Sequence, residues 1–292
     1  MNLAVVGIGL IGGSVARALR EAGQVERISA YDTDAQQLEQ ALSLGVIDRA
    51  GHSVADSVSD ADLVLLAVPV GAVGSVVAAL MPALAPGTVV TDVGSTKGSV
   101  IESVIAVCGE WPRWFVPGHP IAGGERFGVA ASRADLFRGR RVILTPGPAL
   151  EESAIERVRS AWQSCGATVV EMEPQHHDEV LAATSHLPHV LAYALVDCLA
   201  GMESEREIFA YAAGGFRDFT RIASSSPRMW HDIVRANRAA LLPVIDEFSR
   251  VLTGLRDAIE RDDGEAVLAQ FQHARSAREQ YLETVDKAFK NQ

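Results

Sequence analysis

Three glycines, Gly7, Gly9 and Gly12, follow the apolar run Leu3-Ala4-Val5-Val6 almost at once, and no other feature limits the fold as much. The G-x-G-x-x-G spacing is entered from strand-forming residues and left through Ser14-Val15-Ala16-Arg17-Ala18-Leu19, a helix-forming run. That context requires a strand–turn–helix unit in which each glycine has its own task. Gly7 permits the tight turn, Gly9 lets the backbone come close to a pyrophosphate, and Gly12 lets the helix lie against the strand. The helix N-terminus then offers unpaired N–H groups and the positive end of its dipole to that anion. The loop reads as the first βα turn of a dinucleotide-binding domain.

The rest of the first half keeps this rhythm. Strand-like runs recur at residues 27–32, 62–69, 88–93, 113–117, 140–145 and 167–172. Leu63-Val64-Leu65-Leu66-Ala67-Val68 is apolar throughout, as expected of a strand covered on both faces of a parallel sheet. After about residue 173 the rhythm stops. Pro174 opens a helical pattern, and within residues 227–262 Leu241, Ile245, Phe248, Leu252, Leu255 and Ile259 recur at three- and four-residue steps. Pro243 is expected to kink or split that helix, and a last helix is expected over about residues 265–289. The predicted fold is an α/β Rossmann-type doubly wound domain, residues 1–173, followed by an all-α C-terminal domain, residues 174–292.

Composition narrows the partners. The 292 residues are 48% hydrophobic and 22% charged, ordinary for a globular chain that can bury its own core. The net charge of −11 argues against nucleic acid, which needs a basic face, and obliges a site for an anionic substrate to gather its own arginines. Three scattered cysteines, Cys108, Cys165 and Cys198, form neither a disulfide framework nor a zinc pattern, so a cytoplasmic location is expected. No apolar run approaches the ~20 residues of a bilayer span, and no basic leader precedes the first strand. A membrane is not expected as a partner.

Asp32 closes the second strand-like run twenty residues after Gly12, where an acid hydrogen-bonds the ribose diol of a bound adenosine. A carboxylate there repels a 2′-phosphate, Asp34 adds to the repulsion, and no arginine follows directly. NAD is therefore favoured over NADP, and FAD is disfavoured because little chain lies beyond the first domain. Leu10, Ile11, Val68 and Ser95 are read as further cofactor contacts beside Gly7, Gly9, Gly12 and Asp32.

Later motifs speak to the chemistry. They are Thr91-Asp92-Val93-Gly94-Ser95-Thr96-Lys97-Gly98, Gly118-His119-Pro120-Ile121-Ala122-Gly123-Gly124-Glu125, Ser185-His186-Leu187-Pro188-His189, Gly214-Gly215-Phe216-Arg217-Asp218-Phe219-Thr220-Arg221-Ile222-Ala223 and Pro227-Arg228-Met229-Trp230. With the glycine loop, and in this order over roughly residues 1–240, they resemble the prephenate/arogenate dehydrogenase family of tyrosine biosynthesis. The resemblance implies a Rossmann domain, a helical domain forming a homodimer, and oxidative decarboxylation of a cyclohexadienol. Prephenate would give 4-hydroxyphenylpyruvate, and arogenate would give tyrosine.

The resemblance also assigns roles. His119, expected just past a strand end, accepts the substrate hydroxyl proton as hydride departs, work that suits a neutral imidazole. Ser95 orients that imidazole or binds the hydroxyl; its plain alternative is a helix N-cap near Lys97. His186 and His189, three apart on a helix, share a face and line the substrate pocket, with His189 against the substrate side chain. Arg221 is the anion anchor and Arg217 extends its basic face. Its grip must orient the departing carboxylate without stabilising it in the ground state. Asp218 and Glu125 tie and gate the site, and Trp230 lines the pocket or a dimer contact. His176, His177 and Asp178 stand near the histidine pair, but without zinc-type spacing no metal is expected. Some relatives carry a chorismate mutase segment ahead of the dehydrogenase or an ACT domain behind it. Neither is expected, so tyrosine is expected to inhibit only by competition at the active site.

Rival readings are dual or arogenate specificity, a non-catalytic NAD-binding sensor, and a hydroxyacid or imine reductase of similar build. The sensor has no need of His119, Ser95 and Arg221 together. The reductases have no need of Gly118-His119-Pro120.

Overall fold

The computed structural model describes residues 1–124, 126–148, 150–203 and 205–290, without the side chains of 205–206 and 284–290. Strands β1 (Asn2–Val6), β2 (Arg27–Tyr31), β3 (Arg49–Ala50), β4 (Leu63–Leu66), β5 (Val89–Asp92) and β6 (Phe115–Val116) pair in parallel in the order β3-β2-β1-β4-β5-β6. Helices α1 (Leu10–Glu21), α2 (Ala35–Ser43), α3 (Val54–Val58), α4 (Val73–Leu80) and α5 (Gly98–Cys108) connect them. Alternate residues of the apolar strand serve opposite faces. Leu63 and Leu65 pack in one buried cluster with Val15 and Leu19 of α1 and with Val158 and Trp162; Val64 and Leu66 pack in another with Val58, Val77 and Val104. Each such side chain contributes about 1.5–3 kcal/mol on burial, which is why β4 has no polar face.

A second sheet departs from the expectation of one doubly wound sheet. Strands β7 (Gly118–Pro120), β8 (Arg141–Leu144) and β9 (Thr168–Glu171) form it, with β7 antiparallel to β8 and β8 parallel to β9; α6 (Glu152–Ser164) lies between β8 and β9 in the chain. Pro117 explains the switch. It has no N–H to continue the ladder of β6, so the chain leaves the parallel sheet and re-pairs. His119 consequently lies just past the end of β6, inside a short strand of its own, opposite Ile143.

From Pro174 onward the described chain is helical: α7 (Pro174–Leu181), a π-turn (Ala182–His186), α8 (Leu187–Ala200), α9 (Glu205–Ala210), α10 (Gly214–Thr220), α11 (Pro227–Ala236), α12 (Arg238–Glu260) and α13 (Gly264–Lys290). The expected break at Pro243 falls instead at Asn237, and α12 runs through Pro243. Asn237 is 3% exposed and its amide donates to the Asp178 carbonyl and to His186 Nδ1, so buried polar partners interrupt the helix there.

Residues Met1–Leu241 form one compact unit, and the chain from Leu242 forms another. In the second, Asp262 adopts φ 55° after α12, and the Asp263 carboxylate caps α13 by accepting the Ala266 N–H. This unit exposes Leu242, Val251, Leu252, Ile259, Leu268, Phe271 and Tyr281. No helix among the described residues is long and apolar enough to cross a membrane.

Candidate active site

Parallel pairing puts the residues that follow each strand on one edge of the six-stranded sheet. The glycine loop follows β1, Asp32 follows β2, Val68 follows β4, Ser95 lies beyond β5 and His119 beyond β6. Strand order reverses between β1 and β4, the place where open α/β sheets bind ligands. From β2 to β6 is four strand spacings, roughly 19 Å at ~4.8 Å each, so Asp32 and His119 mark opposite ends of an extended binding edge.

The loop fits a dinucleotide. Gly7 has φ 95°, and a Cβ there would stand 2.3 Å from the Ala67 carbonyl oxygen and 3.2 Å from the Val68 side chain. A Cβ on Gly12 would meet the Gly7 carbonyl oxygen at 2.1 Å and Val5 Cγ1 at 2.8 Å. A Cβ on Gly9 would meet no protein atom within 4 Å, so its bareness serves approach from outside. Gly9 is the N-cap of α1 without a side-chain cap, and half-buried Leu10 and Ile11 form the first turn. The Asp32 carboxylate accepts the Ile8 N–H at 2.8 Å and the Asp34 N–H at 2.9 Å, one on each oxygen. Each oxygen keeps a lone pair for a ribose hydroxyl. Asp34 caps α2 by accepting the Gln36 N–H.

His119 lies in a buried polar cluster. Its Nδ1 is 2.9 Å from His177 Nε2, and His177 Nδ1 is 2.8 Å from Asp178 Oδ1. Asp178 also accepts the backbone N–H groups of Lys97 at 2.7 Å and Gly98 at 2.8 Å, capping α5 from 80 residues away. Burial opposes charge on Asp178, but the hydrogen bonds from His177, Lys97 and Gly98 outweigh it and hold the carboxyl below its usual range. A carboxylate only accepts, so His177 Nδ1 carries the proton. In the neutral pair His177 Nε2 then accepts from His119 Nδ1–H, which leaves the lone pair of His119 on Nε2. Burial holds the His119 imidazole well below the usual histidine range, with His177, Lys97 and His186 adding to the effect. His119 is thus a neutral acceptor at physiological pH.

Lys97 and Asp92 are both fully buried and pair at 2.6 Å. Lys97 Nζ also donates to the Gly118 carbonyl, while Asp92 accepts the N–H groups of Gly94 and Gly118. Both backbone groups of Gly118 are therefore clamped beside His119. Burial lowers the Lys97 pKa, opposed by Asp92. Ser95 is half-buried and does not cap α5, because Asp178 does.

His186 and His189 both meet Trp230, His186 edge-on at 6.0 Å between ring centroids and His189 stacked at 3.6 Å. His186 is 1% exposed; burial pushes it down to about 4, against the favourable Asp178 charge and the Ser95 backbone. His189 Nδ1 donates to the Ser185 carbonyl at 2.9 Å within the π-turn. Burial lowers its pKa, the Ser185 bond opposes that, and the Arg221 charge adds to it. Arg221, exposed at the end of α10, thus lies within electrostatic reach of His189. Arg217 and Asp218 are exposed on α10, outside the buried cluster. Glu125 lies outside the described residues. Among the described residues, no group of three or more His, Cys, Asp or Glu side chains is placed to hold a metal ion.

Sequence reasoning missed Asp92, His177, Asp178 and Asn237 as members of the cluster. The available signals were Asp92, a charge closing the apolar run Val89-Val90-Thr91, and the His177-Asp178 pair shortly before the later histidines.

The family models "prephenate dehydrogenase, nucleotide-binding domain" and "prephenate dehydrogenase, dimerization domain" match residues 15–171 and 173–273. A cyclohexadienyl dehydrogenase from Zymomonas mobilis is 42% identical, over 95% of this chain and 94% of the relative. A prephenate dehydrogenase from Bacillus subtilis is 37% identical, over 95% of this chain and 75% of the relative. The crystal structure of prephenate dehydrogenase from Aquifex aeolicus, in complex with hydroxyphenyl propionate and NAD+, superposes with TM-score 0.88 at 36% identity, covering 95% of this chain and 97% of that one. A dinucleotide edge, a neutral buried histidine and these likenesses lead to one conclusion: the chain belongs to the prephenate dehydrogenase family and is an NAD-dependent oxidoreductase.

Proposed function

We propose that this chain converts prephenate to 4-hydroxyphenylpyruvate and CO2. The observation that carries the reading is His119, buried, neutral and held with its Nε2 lone pair available at the edge that Gly7, Gly12 and Asp32 shape for a dinucleotide. Bound NAD supplies the hydride acceptor. His119 Nε2 accepts the hydroxyl proton of the ring carbinol as hydride leaves, and once loss of the ring carboxylate as CO2 makes the ring aromatic, the same oxygen takes the proton back as the phenol. General-base assistance of this kind contributes about 10²–10⁴-fold.

The remaining residues orient the substrate. Ser95 hydrogen-bonds the hydroxyl or the imidazole, His189 and Trp230 hold the side chain, and His186 backs them from beneath. Arg221 orients a carboxylate, with Arg217 extending the positive face. Asp218 and Glu125 gate the site. Residues 1–173 act as the dinucleotide domain and residues 174–292 as the helical substrate and dimerisation domain, in a cytoplasmic homodimer. The apolar side chains exposed on α12 and α13, such as Leu252 and Phe271, support pairing with a second copy. A sedimentation mass of one chain would sink that part.

Dual specificity is the second reading, favoured by the cyclohexadienyl name of the 42% identical relative. Steady-state rates with prephenate and arogenate, each with NAD and NADP, decide. Turnover of prephenate with NAD at the highest kcat/KM is expected. Comparable arogenate turnover would establish the second reading, and failure to oxidise either substrate would remove both.

A further inference from the structure

The base just described has a difficulty. His119 is 8% exposed, and an isolated imidazolium there would carry a charge with little solvation. A group so reluctant to charge is a weak acceptor for a hydroxyl proton unless the charge moves on. The structure offers a place for it. His177 is fully buried, its Nε2 touches His119 Nδ1, and its other nitrogen touches the carboxylate of Asp178. Asp178 is anchored in turn by two N–H groups at the start of α5, a helix of 11 residues, and Asn237 holds its backbone carbonyl.

Building on the proposed oxidation of prephenate, we infer that His177 and Asp178 are positioning residues that hold the proton for His119. As the substrate O–H breaks and its proton bonds to His119 Nε2, the Nδ1–H bond of His119 breaks and a new bond forms at His177 Nε2. A bound nicotinamide would take the electron pair of the hydride; the ring carboxylate leaves as CO2, its bonding pair makes the ring aromatic, and the former carbinol oxygen takes the proton back by the reverse path through His119 Nε2, so charge and protons balance. Until that return His119 is neutral with its proton on Nε2, and the positive charge rests on His177 beside Asp178, where an ion pair compensates it. Other groups facing the two rings are Lys97, with Asp92 behind it, from the β5–α5 segment, and His186 from the π-turn. Of the charged groups named, Asp178 is the anion in contact with either ring.

His177→Gln separates holding a proton from holding a ring. The Gln amide oxygen accepts the His119 Nδ1–H bond, so the tautomer is kept, but the amide takes no proton. The expected result with prephenate is a kcat about 10- to 100-fold lower, with the KM for NAD changed by less than about twofold. In the wild type the acid limb of kcat/KM titrates the coupled pair. In the variant only desolvated His119 remains, so the limb shifts to lower pH. A kcat within about threefold of wild type, or a limb in the same place, overturns the inference.

A second measurement needs no variant. In wild-type enzyme with 15N-labelled histidine, acidification should protonate the His177 ring before the His119 ring; the reverse order overturns the inference. Wild-type enzyme that leaves prephenate untouched would defeat the functional reading instead, and the order of protonation would still decide this one.

Discussion

The glycine loop and the histidine cluster share one edge of the sheet but are built in opposite ways. The loop is made by leaving side chains out: Gly7 and Gly12 are tolerated nowhere as anything larger, because backbone and Val5 occupy the space. The cluster is made by bringing side chains in, from β5, the β5–α5 segment, β7, α7, the π-turn and Asn237. The loop depends on volume within a stretch of six residues. The cluster depends on charge and proton position across more than a hundred. Volume errors there cost packing, whereas removing one member of the cluster strands another without a partner.

Four experiments can break or sharpen that contrast. Lys97→Met should have the largest effect, because it leaves Asp92 charged and fully buried with only backbone donors. A loss of about 3–5 kcal/mol is expected in urea denaturation. The double variant with Asp92→Asn should regain much of it. A single-variant loss under about 1 kcal/mol would mean that the pair is not what holds Gly118 in place.

His119→Asn should cut kcat by more than about a hundredfold, roughly 3 kcal/mol in the barrier, while the Kd for NAD stays within about twofold. Near-normal turnover would remove His119 as the base.

Acid should attack the cluster before the loop. His119, His186 and His189 all have folded-state pKa values below the ordinary 6.5. The unfolded chain therefore binds their protons first. Stability is fully present above about pH 6.5 and is lost as pH falls toward the folded values. For His186, pushed down to about 4, the loss reaches about 3 kcal/mol. Tm should fall steeply from pH 6.5 to 4 and less steeply in His186→Gln. Parallel slopes for the two proteins would rule out His186 as a source of the acid lability.

The smallest expected effects separate two glycines. Gly12→Ala should cost about 1–3 kcal/mol of stability, since its Cβ cannot be accommodated. Gly9→Ala should leave stability within about 0.5 kcal/mol yet weaken NAD binding, because its Cβ points into open space. Equal stability losses for the two would dissolve the distinction.

Legibility in the sequence follows the same divide. The loop was readable because backbone constraints act locally and select glycine at fixed spacing. The β rhythm was readable for β4, whose two buried faces demand an unbroken apolar run. The second sheet was not, since Pro117 ends one pairing without saying where the next begins. His119 and His189 stood out through their motifs. His177 and Asp178 did not, because neighbours on a helix ordinarily point apart, and here an imidazole bends to its neighbour's carboxylate. Lys97 did not stand out either, because a lysine after a strand is ordinarily solvated, whereas Asp92 draws this one inward. Pro243 was given more weight than Asn237 because a proline's constraint is visible in the chain itself, while Asn237 answers to partners 51 and 59 residues away.

The cap that Asp178 places on α5 bears on the order in which the chain can fold. No local residue satisfies the first turn of α5; its partner arrives 80 residues later. During synthesis the α/β portion can emerge and collapse, yet that helix end stays unfinished until α7 docks. The docking of α7 thus supplies two things together, the closure of that helix end and the neighbour of His119. A fragment ending near residue 173 should show fast amide exchange at Lys97 and Gly98 where the full chain shows protection.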